Sequence, residues 1–179
     1  MRIMRALSIA LALSAGVAFA AQTKWATYSS TAFGFGGLFP VTPDVKTDNS
    51  KVQFNGKTYT VTMHTISAKG ANGSICLVVH AIYKWPIDIE PELIADRDNF
   101  MKGISASVTT SKRTTSSRGK GTALPALLFG ATSATYDWSS LIVIDGQNVY
   151  EVAGGVPKAG GQRADLARCV DGFALLVQK

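Results

Sequence analysis

Cys76 and His80 sit four residues apart, and a thiol beside an imidazole invites a nucleophilic dyad or a metal site. The surrounding run, ICLVVHAIY, is β-branched and reads as a strand. On a strand, residues four apart lie roughly 13 Å from each other, too far to share a proton or an ion. The other histidine, His64, has no cysteine or paired carboxylate near it in sequence, so no metal ligand set and no cofactor is implied. Five acids, Asp88, Glu90, Glu92, Asp96 and Asp98, could act in acid–base pairs. Their place near the start of a helical pattern is explained as well by the helix dipole. No G-x-S-x-G stretch marks a hydrolase elbow, and the FGFGG stretch at Phe33–Gly37 lacks the lysine and hydroxyl residue of a phosphate-binding loop. No catalytic residue, cofactor-binding residue or metal ligand is therefore assigned, and the chain reads as a non-enzyme.

Two basic stretches keep functional weight. Lys112, Arg113, Arg118 and Lys120 lie in a serine- and threonine-rich segment without acids, Ser105–Gly121. Lys158 and Arg163 flank a glycine-rich connection before a C-terminal helix, where free amide groups could hold an anion. Either stretch could contact an anionic envelope component or an acidic protein surface. The plainer readings are a charge-guarded edge strand for the first and a flexible connection for the second.

The elements that position these residues follow from periodicity. Residues 1–20 have two arginines, a short apolar core and Ala18-Phe19-Ala20, the pattern of a cleaved signal peptide. The apolar core is shorter than the roughly 20 residues a membrane span needs. The expected mature chain, residues 21–179, is one domain in the periplasm or secreted, not membrane-spanning and with no reason to bind nucleic acid. Loss of Arg2 and Arg5 leaves 16 basic against 12 acidic residues, a mild net +4. In an oxidising compartment Cys76 and Cys169 have two readings, a disulfide or two buried free thiols, and the bridge is the expectation.

Asn55-Gly56 marks a hairpin with Tyr59, Val61 and Met63 on one face and Thr58, Thr60, Thr62 and His64 on the other. Asp88–Ile104 has helical spacing, with Pro91 in its first turn. Pairing Ile144 with Val149 gives a second hairpin, with Leu141, Val143, Tyr150 and Val152 on one face and Ile142, Ile144, Val149 and Ala153 on the other with Glu151; both faces are largely apolar, so both should be covered. Leu166, Cys169, Val170 and Phe173 form the stripe of a last helix, stopped at Gly172 by a left-handed cap. The expected class is α+β, an antiparallel sheet of about six to nine strands with helices packed on its faces.

The aromatic-glycine strand ending at Phe39, Pro40 and Pro43, the acidic helix near Leu93, the Pro125-Ala126 strand, the Tyr150 hairpin and the Phe173–Leu176 ending together resemble the PsbP-like fold. The likeness is closest to small exported bacterial proteins of that fold. It implies an α/β/α sandwich and an accessory role, most simply a binding domain for another envelope protein. It supplies no catalytic set to carry over. The alternative is a small-molecule or lipid carrier with an apolar pocket near Trp85, Trp138 and Tyr59.

Overall fold

The computed structural model describes residues 25–119 and 121–177; the signal-peptide expectation and Lys120 lie outside them. Within them the chain forms two antiparallel sheets and two helices, an α+β fold. Seven long strands make the main sheet. They are β3 (Asp44–Phe54), β4 (Lys57–Lys69), β5 (Ile75–Ile82), β6 (Ser107–Ser117), β7 (Ala123–Thr132), β8 (Tyr136–Asp145) and β9 (Asn148–Pro157), in spatial order β3-β4-β5-β9-β8-β7-β6. Two meanders, β3-β4-β5 and β6-β7-β8-β9, meet where β5 pairs with β9. Between them in sequence lies α1 (Ile89–Gly103), which packs on one face. The other face carries α2 (Ala164–Asp171) and a small sheet of β1 (Ala26–Ser30), β2 (Phe35–Phe39) and β10 (Ala174–Leu175).

Alternation along the central strands explains the layering. Leu77, Val79, Ile142, Ile144 and Ala153 point toward α1, where Leu93, Phe100 and Met101 meet them. Cys76, Val78, Val143, Tyr150 and Val152 point the other way, against Phe35, Phe39, Cys169 and Leu175. A strand buried on both faces loses its polar alternation, which is why β5 reads as an apolar run interrupted at His80 alone. Phe35 and Phe39 are fully enclosed, each contributing about 1.5–3 kcal/mol of burial that fastens the small sheet to the large one.

The Ile144–Val149 pairing and the two faces read from it are present in the structure. So is the Asn55-Gly56 turn, with both residues at positive φ, 48° and 75°. The aromatic-glycine stretch is a full hairpin, β1 with β2, rather than one interrupted strand, and β2 ends at Phe39 before Pro40.

Adjacent glycines in β9 let both layers close on the sheet. A Cβ on Gly154 would stand 2.7 Å from the Leu166 carbonyl oxygen of α2, and one on Gly155 would stand 2.6 Å from the Trp138 ring on the other face. Gly172 does end α2, but not by a left-handed cap: its φ is −75°. What its missing side chain permits is proximity, because a Cβ there would lie 2.9 Å from Leu38 of β2.

Cys76 of β5 and Cys169 of α2 form a disulfide, with Cα atoms 5.7 Å apart, and no other cysteine exists. The last helix is thus held to the central strand covalently. Its N-terminal end is held by polar groups: the buried Asp165 carboxylate accepts hydrogen bonds from Ser74 Oγ at 2.6 Å and Asn72 Nδ2 at 2.9 Å, both in the β4–β5 turn.

Candidate functional site

The most unusual chemistry lies beneath α1. Glu151 is in the middle of β9, opposite Val79 of β5 and Ile142 of β8, with its side chain on the α1 face. Only 8% of the residue is exposed. From above, α1 turns Glu92 and Asp96 toward the sheet, and Tyr83, on the connection into α1, hydrogen-bonds Glu92. Asp96 and Glu92 are one helical turn apart and so share a side. The expectation that these acids only answer the helix dipole therefore covers Glu90, in the exposed first turn, but not the inward pair.

Among the described residues no cation neutralises this group. The ion pairs among the described residues are Arg97–Asp98, Arg113–Glu90, Arg118–Asp145, Arg163–Asp137 and Arg168–Asp165. None includes Glu92, Asp96 or Glu151. Burial therefore acts without compensation. It pushes the Asp96 carboxyl up to about 8, with the Glu92 charge adding to the effect. It raises Glu151 well above the carboxylate range, with the Asp96 charge adding to that. Glu92 is raised by burial and partly restored by its bond from Tyr83. The Tyr83 hydroxyl is driven upward by burial and by the acids around it. Four side-chain atoms on this face are buried without a hydrogen-bond partner: Asp96 Oδ2, Glu151 Oε1, Ser140 Oγ and Trp138 Nε1.

The opposite face holds a row of rings. Register places His64 opposite His80 and His80 opposite Tyr150, so three rings from β4, β5 and β9 lie side by side. The Tyr150 and His80 rings stack at 4.6 Å and 6°, and Phe33 stacks on His64 at 4.3 Å. Tyr150 donates its hydroxyl to the Phe33 carbonyl at 3.1 Å, tying the β1–β2 turn over the row. His80 Nε2 bonds Asn148 Oδ1 at 3.0 Å, and His64 Nδ1 bonds Thr47 Oγ1 at 2.9 Å. Desolvation lowers both histidines, His80 further depressed by the charges of His64 and Arg118 against a supporting bond from Asn148. These are neutral imidazoles at neutral pH. Among the described residues no three His, Cys, Asp or Glu side chains are grouped to hold a metal ion.

Cys76 and His80 share the α2 face of β5, but Cys76 is consumed by the disulfide. Of the six basic residues, the five that are described do not form one patch. Arg113 pairs with Glu90 of α1, and Arg118 pairs with Asp145 at the β8–β9 turn. Lys158 donates to the Ser133 carbonyl at 2.6 Å, and Arg163 lies 3.7 Å from Asp137. The last two stand at the β7–β8 turn, the opposite end of the sheet from Arg118. Lys112 is exposed on β6, with no ion pair among the described residues. The segment around it is an edge strand of 11 residues, paired with β7 alone in the main sheet and exposed along most of its length.

The aromatic residues named as pocket candidates are packed against other rings in two separate clusters. Trp85 stacks on Phe54 at 5.1 Å and contacts Tyr59 and Tyr83, while Trp138 packs against Phe100 and Tyr136. No known family profile matches this chain, and no curated protein matches it. No helix among the described residues is long and apolar enough to cross a membrane.

Proposed function

We propose that this is an exported, non-enzymatic binding domain acting in the periplasm as an accessory to another envelope protein, and that it engages that partner along β6. The observation carrying this reading is the β6 edge, 11 residues with one side of its backbone unpaired by the sheet. Such an edge is a template for an added strand, with main-chain hydrogen bonds giving affinity and flanking side chains giving choice. Ser107–Ser117 contains no acid and no proline, and Lys112 presents a positive charge that no acid among the described residues pairs with. An extended, acidic segment of a partner fits that chemistry. The buried disulfide suits an oxidising compartment, and the PsbP-like resemblance points to the same kind of accessory role.

The test is cross-linked capture from envelope extract with the wild type, with Lys112→Glu/Thr114→Asp on β6, and with Lys46→Glu on the opposite edge, β3. The expected result is a discrete partner recovered by the wild type and by Lys46→Glu but lost with the β6 variant. Recovery unaffected by the β6 variant, or no discrete partner at all, would overturn the reading.

A further inference from the structure

We infer that Asp96 and Glu151 form a proton latch between α1 and the sheet: the helix seats by holding protons on these two carboxyls and gives them up when it lifts. The geometry is the starting point. One carboxyl lies on the buried side of α1 and the other on the α1 face of β9, beside the strand β8 on which the helix rests, each with a buried oxygen lacking a partner among the described residues. Two ionised carboxylates enclosed between these layers would repel, and neither could keep its hydration shell.

Every element packed around the pair leaves the proton as the neutralising agent. On α1 itself the other facing titratable group is Glu92, an acid. The connection into α1 supplies Tyr83, whose hydroxyl is held protonated. From β8 come Ser140 and Trp138, which are uncharged, and from β5 and β7 come Leu77, Val79, Leu127 and Phe129. The arginines bordering α1 are engaged elsewhere, Arg97 with Asp98 and Ser111, Arg113 with Glu90. Among the described residues no three acids are grouped to hold a metal ion in the proton's place. The raised Asp96 and Glu151 carboxyls agree with this arrangement.

The sign follows. In the lifted state both carboxyls return to the ordinary carboxylate range, so over the interval from there to about pH 8 the seated state binds more protons than the lifted one. The latch is tight in acid and loosens as pH rises through that interval. Above it the seated Asp96 ionises too, and the dependence on that proton ends. The opening constant rises by up to about tenfold per pH unit for each proton released.

Hydrogen exchange of the α1 amides, corrected for intrinsic base catalysis and compared with those of β9, tests the latch. In the wild type, α1 protection is expected to fall from about pH 5 to about pH 8 more steeply than that of β9. In Asp96→Asn/Glu151→Gln, which keeps the shapes and removes the titration, the dependence is expected to flatten. Protection independent of pH, a fall shared equally by β9, or a fall that survives in the amide variant would overturn the proposal. Should the variant not fold, carbon-13 titration of the wild-type carboxyls decides. Both are expected still protonated at about pH 6, and ionised carboxylates there would overturn the latch.

Discussion

His64 and His80 face each other across β4 and β5 with ring centroids 5.8 Å apart, and both are held neutral in a stack closed by Phe33 and Tyr150. Their fixed neutrality gives the fold an acid limit. In the folded state both are depressed below 6.5, so below that pH the unfolded chain binds more protons and stability is lost as pH falls. The ceiling is about 1.4 kcal/mol per pH unit for a single histidine, and solvent reaching the His64 side keeps the actual slope below it. Urea unfolding of the wild type and of His80→Gln at about pH 7.5 and about pH 5 measures this. The variant should lose less stability on acidification than the wild type, and an equal loss would show that His80 is not responsible.

Asp165 is the polar anchor of α2. Replacing it with alanine leaves the buried Ser74 hydroxyl and the Asn72 amide without their acceptor, at an expected cost of about 2–4 kcal/mol. Asp165→Asn, which retains an acceptor, should cost less than half as much. Equilibrium unfolding of both variants is the measurement; equal losses would mean that volume, not hydrogen bonding, sets the contribution.

The bridge between Cys76 and Cys169 spans 93 residues of sequence. In the chain-entropy account it restricts the unfolded state by about 4.5 kcal/mol. Unfolding with and without reductant should reproduce a loss of that order, and alkylation of the denatured, unreduced protein should label no cysteine. Labelling at both positions would contradict the bridge.

The close approach of α2 to β9 makes Gly154→Ala a steric test. Its Cβ meets backbone that cannot rotate away, so a loss of about 1–3 kcal/mol is expected. Gly103→Ala, at the end of α1 with open space around it, should be neutral or stabilising by up to about 1 kcal/mol. Thermal unfolding that ranks the two in the opposite order would show that α2 can move off the strand.

Much of this architecture is legible along the chain because it is local. Strand alternation, the Asn55-Gly56 turn and the Ile144–Val149 register depend on neighbouring residues, and the structure has each as the pattern gives it. Glu151 was visible as the one acid on an otherwise apolar face, but what it meets was not. The Asp96 charge acts on it from 55 positions earlier in the chain, on a helix whose acids look like dipole partners. The histidine row was hidden for a different reason. The β4–β5 turn, SAKGANGS, allows several registers, and a shift of one residue would have sent the two rings to opposite faces. At Gly172 the residue was right and its reason was not, since the side chain is excluded by Leu38 rather than by backbone handedness.

The Cys76–Cys169 bridge encloses α1 and β6 through β9 in one covalent ring. A single backbone cut anywhere inside that ring, for instance at the β6–β7 turn, opens the ring without releasing a piece. In an environment with proteases but no reductant, a nicked molecule keeps its full mass and its packed layers. The cut becomes visible only when the sulfurs are reduced.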